Sequence, residues 1–288
     1  MDAWVCFGGG ERFYLMLGYL LGGLANETPK RLYGTSAGAL LASLFAFCGI
    51  EVCKTIQINQ TSQVFQTKDV LADIGDEAFR NRPGLATYKP LLALIQKYIV
   101  GKPSVPVTIK RTLFRTGEAQ YVTAYPDGTF KTEGCQESAV TTIAGFQDAL
   151  CSSCINAGAV DAFQDSNNND WIDGGYNDLG DTSKAIGDGC KDITLLMTGQ
   201  FTDPALNNQS GDIVGSIIDG YSILIHRVMR ADVLLALNHP LITTTIYEAT
   251  PVGSSSNFNL ADNTKNTAIG QAVVPIDGSV LLANYVVS

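Results

Sequence analysis

The chain has 288 residues, of which 45% are hydrophobic and 16% are charged, and its formal net charge is −9. This composition predicts a folded protein with a sizeable core and excludes extensive disorder. The negative charge, with no run of Lys or Arg, argues against nucleic acid as a partner, because the long-range field repels phosphate backbones.

The first fifty residues predict two units of strand, turn and helix. Residues 3–7 form a short buried strand that ends at three glycines, and residues 11–24 form a mostly buried helix. Residues 31–35 predict the second strand and residues 36–49 the second helix. A connection this short favours a parallel right-handed crossover. Residues 32–50 carry no charge, but their glycines favour a buried strand and helix over a membrane span.

The rest of the chain continues as an α/β pattern without an internal repeat or a linker, which favours one domain. The predicted helices are residues 85–100, 146–160 and 213–237, and the predicted strands are residues 105–114, 120–124, 192–198 and 243–247. Residues 202–211 form the loosest internal segment and are a candidate lid or active-site loop.

The cysteines predict neither a disulfide framework nor a metal site. Seven of them lie at uneven spacings, several within apolar sequence, which is typical of reduced core thiols. The CxxC pair, Cys151 and Cys154, has no second pair and no nearby His, so zinc is not expected. The chain begins without a basic segment or a leading apolar stretch, and this favours a cytoplasmic protein, with peripheral membrane contact left open.

Residues 34–38 read GTSAG and place a serine between a strand and a helix. In a G-x-S-x-G turn the flanking positions, Gly34 and Gly38, need small residues, and the strained bend lifts the serine hydroxyl clear of the backbone. The following helix directs its first N–H groups toward any oxyanion formed there. Ser36 is therefore a candidate nucleophile, although the pentapeptide also arises by chance in a chain with 29 glycines.

Two further motifs support a catalytic interpretation of Ser36. Gly8, Gly9 and Gly10 lie between a strand and a helix, where free backbone N–H groups can bind a developing oxyanion. Asp173 follows an apolar pair and precedes two glycines, so it emerges near the other loops if its strand joins the same sheet. An aspartate in that place can accept the serine proton directly. Taken alone, each of the two motifs is equally well explained as a tight turn.

In this order, GGGER, GTSAG and DGG resemble the motifs of the patatin-like phospholipase family. The likeness covers about residues 3–180 and is weaker over residues 181–288. It implies a three-layer α/β/α fold with a mainly parallel central sheet, in which residues 1–288 form a single domain.

The resemblance also implies a function for these motifs. It makes the chain a lipid acyl hydrolase of the phospholipase A or lysophospholipase type, which works without metal or cofactor. Ser36 would be the nucleophile, Asp173 the base, and the amides of Gly8, Gly9 and Gly10 the oxyanion hole. A phospholipid or another acyl lipid would be the substrate, met at a membrane surface by transient contact.

The chain departs from the family pattern in two places. The family usually has Gly where this chain has Phe13, and Asn-Asn-Pro where this chain has Asn177, Asp178 and Leu179. The first change could reshape the oxyanion loop, and the second could loosen the support of Asp173. The alternative function is therefore a non-catalytic protein that keeps the scaffold and binds lipid or a partner.

A conventional Ser-Asp-His hydrolase is disfavoured by topology. Its histidine would be His226 or His239, which follow Ser36 and Asp173 in the usual chain order. In that fold, however, several strands precede the nucleophile, and the 35 residues before Ser36 have room for only about two.

Residues 165–173 offer a second use for the same carboxylate. They resemble a calcium-binding loop, with oxygen-bearing side chains at positions one, three, five and nine. Asp170 and Tyr176 stand where such a loop needs Gly and Glu. Calcium binding stays open at this point, and it would make Asp173 a ligand instead of a base. Phosphate-binding loops are disfavoured, because GGGER lacks the later glycine of G-x-G-x-x-G.

Overall fold

The computed structural model of the protein describes residues 2–9, 13–59, 66–67, 86–156, 160–201, 227–249 and 263–287. The strands are Ala3–Cys6 (β1), Arg31–Thr35 (β2), Gln66–Thr67 (β3), Ala86–Thr87 (β4), Val107–Leu113 (β5), Ala119–Ala124 (β6), Phe130–Gly134 (β7), Phe163–Gln164 (β8), Asp170–Asp173 (β9), Asp192–Leu196 (β10), Thr243–Tyr247 (β11) and Ile276–Asp277 (β12). The α-helices are Phe13–Leu21 (α1), Ala37–Cys48 (α2), Ile50–Asn59 (α3), Lys89–Tyr98 (α4), Ile143–Ser153 (α5), Thr182–Gly187 (α6), residues 227–237 (α7), Asn263–Gln271 (α8) and Gly278–Val287 (α9).

One mixed sheet forms the centre of the fold, in the order β12-β11-β10-β1-β2-β5-β6-β7. The five strands from β11 to β5 are mutually parallel, β6, β9 and β12 run antiparallel to them, and β7 pairs with β6 in antiparallel orientation. The β1 and β2 pairing with α1 between them is the parallel crossover expected from the sequence.

The sheet is covered by helices on both faces, because successive side chains of a strand point to opposite sides. In β1, Trp4 and Cys6 belong to a core that also contains buried side chains of α1 to α5. Ala3 and Val5 belong to a second core with residues of α6, α7 and α9. The expected α/β fold with a mainly parallel central sheet and helices on both sides is therefore confirmed.

The observed elements differ from the prediction mainly outside the apolar strands. The sequence interpretation missed β7, an edge strand whose residues are half-buried or exposed and so show no apolar alternation. It also missed α3 and the C-terminal helices α8 and α9. Helix α8 packs against α1 so closely that a Cβ on Gly18 would lie 2.3 Å from the Thr267 carbonyl oxygen. The candidate lid at residues 202–211 lies outside the described residues.

Candidate active site

The strands that carry Ser36 and Asp173 end at neighbouring points on one edge of β5. The other edge of β5 pairs with β6. On the edge of β5 that β2 and β9 share, β2 runs parallel to β5 and its last residue, Thr35, pairs with Lys110. Strand β9 runs antiparallel to β5, and its last residue, Asp173, pairs with Arg111. Because Lys110 and Arg111 are consecutive, the ends of β2 and β9 converge, and this register explains how residues 137 positions apart meet.

Ser36 occupies the strained position of the turn between β2 and α2. Its φ of 56° and ψ of −126° place a non-glycine residue in a backbone region that L-amino acids rarely adopt. A Cβ on Gly34 would lie 2.5 Å from the Gly38 carbonyl oxygen, and one on Gly38 would lie 2.0 Å from the Cys6 carbonyl oxygen. Neither position can carry a side chain, so the tightness predicted for this turn is present.

The Ser36 peptide group is held by the end of α5. Its N–H donates to Ser153 Oγ at 3.0 Å, and its carbonyl oxygen accepts from Cys154 Sγ at 3.2 Å. Cys154 is thus used as a donor beside the candidate nucleophile, and burial raises the pKa of its thiol well above the usual range. Neither contact could be predicted from the sequence, where the pair of serines in CSSC was the one visible feature at this place.

Asp173 ends β9 and begins a turn built on two glycines. Its carboxylate accepts from the Gly175 N–H at 2.6 Å, and its own N–H donates to the Ile155 carbonyl at 2.8 Å. A Cβ on Gly174 would lie 2.4 Å from the Lys110 carbonyl oxygen, which explains the need for glycine after the aspartate. The turn therefore lies directly against β5.

The two candidate catalytic side chains lie beside each other where β2 and β9 converge on β5, with the Asp173 carboxyl within reach of the Ser36 hydroxyl. Both residues are more than nine-tenths buried. Burial raises the pKa of Asp173 to about 6, while the hydrogen bonds from Ser36 and Gly175 and the charge of Lys110 act in the opposite direction. A carboxylate with this pKa is ionised at neutral pH and is a stronger base than an ordinary aspartate.

The glycine loop after β1 lies beside Ser36, but its first amide is already used. Gly8 comes so close that a Cβ on it would lie 3.2 Å from Ser36 Cβ. Its N–H, however, donates to the Leu179 carbonyl at 2.9 Å, so it does not point freely at a substrate. Within the described residues, the Gly9 N–H has no hydrogen-bond partner. Gly10 lies outside the described residues, whereas Phe13 begins α1 as a core residue.

The residues in place of Asn-Asn-Pro make polar contacts of their own with β5 and α7. Asn177 Nδ2 donates to Thr112 Oγ1 at 2.8 Å. The Asp178 carboxylate forms an ion pair with Lys110, whose side chain has no exposed surface. The Asp178 carbonyl oxygen also accepts a hydrogen bond from Lys110 Nζ at 2.7 Å. The Leu179 N–H donates to Asp232 at 2.9 Å. Sequence reasoning missed Lys110, although two charged residues inside an otherwise apolar strand were a visible signal.

The structure also places residues of the two alternative sites, the histidine of a Ser-Asp-His hydrolase and the calcium loop of residues 165–173. His239 precedes β11, whose first residue Thr243 pairs with Asp192, so it lies at the opposite end of the parallel sheet from Ser36. His226 lies outside the described residues.

In the possible calcium loop, Asp165 accepts from the Asn167 and Asn169 N–H groups and from Trp171 Nε1, so its carboxylate closes the β8–β9 turn. The described residues contain no group of three or more His, Cys, Asp or Glu arranged to hold a metal ion.

None of the helices in the described part of the chain combines the length and the apolar character needed to cross a membrane. All seven cysteines are free thiols.

Comparison with known proteins identifies the family. Residues 5–180 match the patatin-like phospholipase family, a segment that contains the glycine loop after β1, Ser36 and Asp173. A search of curated proteins gives no match. Among solved structures, VipD from Legionella pneumophila is similar over 96% of this chain and 68% of its own, at 11% identity and a TM-score of 0.34. Because the family match covers more than half of the chain, this protein belongs to the patatin-like phospholipase family, whose members are lipid hydrolases.

Proposed function

We propose that the protein is a lipid acyl hydrolase of the phospholipase A or lysophospholipase type that uses Ser36 and Asp173 as a catalytic dyad. The observation that carries this proposal is the convergence of the strained Ser36 turn and the buried Asp173 carboxyl on one edge of β5, where burial raises the pKa of Asp173 to about 6. The family membership supports a lipid substrate. A phospholipid or another acyl lipid, met by transient contact with a membrane surface, is the proposed partner.

The proposed reaction proceeds through an acyl-enzyme. Asp173 takes the proton of the Ser36 hydroxyl as Oγ attacks the ester carbonyl carbon, and the protonated carboxyl then gives that proton to the departing alcohol. Water attacks the acyl-serine, its proton passes to Asp173, and Ser36 Oγ leaves with the proton returned. The fatty acid is thereby released and both side chains are restored.

The developing oxyanion needs donors that the chain holds in advance. We assign this role to the amides of Gly9 and Gly10, assisted by the first turn of α2, which begins directly after Ser36. Gly8 then has a supporting role, because its amide holds the loop against Leu179. We also propose that residues 1–288 form one domain, since β10 and β11 extend the sheet that carries the site.

A serine-reactive fluorophosphonate probe tests this function. Labelling of the parent and loss of labelling in Ser36→Ala is the expected result. Ser43→Ala is the matched control, because Ser43 is a fully buried serine on the same helix and its loss should leave labelling unchanged. Folded parent protein that is never labelled would instead favour the non-catalytic lipid- or partner-binding alternative.

The lipids released by the parent and by Ser36→Ala identify the substrate. Free fatty acid and lysophospholipid that appear with the parent alone support phospholipase A action. Free fatty acid from lysophospholipid alone supports the lysophospholipase type.

A further inference from the structure

Lys110 is a buried cation that the proposed reaction does not use. Its side chain has no exposed surface. It pairs with Asp181 at 2.7 Å and with Asp178, and it donates to the Asp178 carbonyl at 2.7 Å. Removing a lysine ammonium from water is strongly unfavourable unless partners compensate its charge, so this arrangement needs an explanation.

The position of Lys110 in the sheet relates it to both catalytic side chains. It pairs with Thr35, the residue before Ser36, and the next residue of β5 pairs with Asp173. Its charge also acts on the Asp173 carboxylate, favouring the ionised form. Lys110 thus lies where the nucleophile strand and the base strand converge.

The segment that Lys110 binds, residues 178–181, contacts the nucleophile strand, the glycine loop and helix α7. Thr35 Oγ1 donates to Asp181 Oδ2 at 2.8 Å, which ties the segment to the nucleophile strand. The Leu179 carbonyl accepts from the Gly8 amide, which ties it to the glycine loop. The N–H groups of Leu179 and Gly180 both donate to Asp232 of α7 at 2.9 Å. Asp232 comes from beyond the region that matches the family.

We propose that Lys110 is a positioning residue, which holds the segment after the Asp173 turn against the nucleophile strand and places its positive charge beside the base. This inference rests on the proposed dyad. The ion pair with Asp178 gives the departure from Asn-Asn-Pro a physical meaning, because the acidic residue is the counterion of the lysine.

The charges that face Asp173 fix the direction of the expected effect. Lys110 from β5 lowers the pKa of the carboxyl, and Asp181 from the loop before α6 raises it. Cys154 from the end of α5 is held as a neutral thiol, because burial raises its pKa. Asp232 from α7, whose pKa burial raises to about 6, faces Lys110 and Asp181. Loss of the lysine charge therefore raises the pKa of Asp173, and loss of the Asp181 charge lowers it.

The test measures the pKa of Asp173 directly, by carboxyl NMR titration of aspartate-labelled protein assigned with Asp173→Asn. Lys110→Met, which keeps the length and removes the charge, should raise this pKa by about one unit. The acid limb of the pH dependence of kcat/KM on a soluble ester should move upward by the same amount. Lys184→Met is the matched control, because Lys184 is a mostly buried lysine paired with two other carboxylates, and it should move neither.

Asp181→Asn is the second variant and covers the case in which Lys110→Met fails to fold. Asparagine tolerates the left-handed backbone at this position, where φ is 45°, and it can still accept from Thr35. The pKa of Asp173 should then fall. If the pKa of Asp173 stays unchanged in whichever of Lys110→Met and Asp181→Asn folds, the proposal is overturned.

Failure of this proposal and failure of the proposed function give different results. If the parent hydrolyses esters but the pKa of Asp173 does not move in either variant, only the role of Lys110 is refuted. If the pKa moves as expected but the parent neither hydrolyses esters nor reacts with the probe, Lys110 keeps its role and the dyad is not a working enzyme.

Discussion

The nucleophile turn and the aspartate turn are held by different forces. Around Ser36 the backbone segments approach so closely that Gly34 and Gly38 leave no room for a Cβ. Beside Asp173 the contacts are electrostatic, with the buried side chains of Lys110 and Asp181 and the partly exposed Asp178 in one cluster. The aspartate turn does use steric restriction at Gly174, but its segment 178–181 is held by ions and hydrogen bonds.

Because one turn is held by steric contacts and the other by charges, the two turns should respond differently to substitution and to pH. Steric support is independent of pH and fails when volume is added. Electrostatic support depends on the protonation of its members and fails when a charge or a hydrogen bond is removed. The three predictions below test this contrast through the free energy of unfolding, in order of decreasing effect.

Gly38→Ala should have the largest effect, because its Cβ would lie 2.0 Å from the backbone oxygen of Cys6 and neither backbone can move freely. We expect a loss of about 4 kcal/mol or more, at the upper end for single substitutions. Denaturant unfolding at pH 5 and pH 8 should give the same loss. Gly187→Ala is the control, since a Cβ there meets no atom within 4 Å and the change should cost little. A pH-dependent loss at Gly38 would contradict the steric explanation.

Asp173→Asn should abolish ester hydrolysis but stabilise the fold. The folded-state pKa of about 6 lies above the ordinary 3.8, so the parent loses stability as pH rises between these values. The asparagine variant avoids this loss, and we expect a gain of up to about 3 kcal/mol above pH 6 that disappears below about pH 4. Thermal unfolding across pH 4 to 8 measures it.

Asp188→Asn provides the control of opposite sign for Asp173→Asn. Burial acts to raise the pKa of Asp188, but hydrogen bonds from Lys184 and Tyr33 hold it below the usual value. Its replacement should therefore destabilise the protein at neutral pH, and the difference should vanish on acidification. If Asp173→Asn also destabilises at neutral pH, the raised pKa of the base is wrong.

Thr35→Val should have the smallest effect of the three and breaks the link between the two turns. Valine keeps the shape but removes the hydroxyl that donates to Asp181 at 2.8 Å, at a cost of about 2 kcal/mol for a hydrogen bond to a buried charge. Thr194→Val on β10 is the matched control, because within the described residues its buried hydroxyl has no hydrogen-bond partner. Urea unfolding of both variants compares them, and equal costs would argue against a specific role for the Thr35 bond.

The sequence predicted those parts of the site that depend on local backbone geometry. G-x-S-x-G and the two glycines after Asp173 report where the chain must turn tightly, and both turns lie at the ends of strands as expected. The helices α2 and α4 were predicted to within a few residues, because apolar periodicity reports burial. The roles of Ser36, Asp173 and the glycine amides in catalysis stay predictions until the probe and the variants are measured.

Other features could not be read from sequence, because they depend on residues far apart in the chain. Nothing local indicates that Ser153 accepts from the Ser36 amide or that Gly8 donates to Leu179. The charged residue in β5 was visible, but its counterions lie about 70 residues further on. Such pairings follow from sheet register, which periodicity alone does not specify.

By itself the sequence determined the composition of an α/β chain, the two glycine-flanked turns and the order of the motifs, since these follow from local backbone sterics and apolar spacing. The tertiary structure decided that the ends of β2 and β9 meet beside Lys110 and Arg111. It also decided that the Gly8 amide is occupied and that a buried lysine pairs with the aspartates that follow the Asp173 turn. These outcomes depend on which strands share an edge of β5, a long-range choice made by packing of the whole sheet.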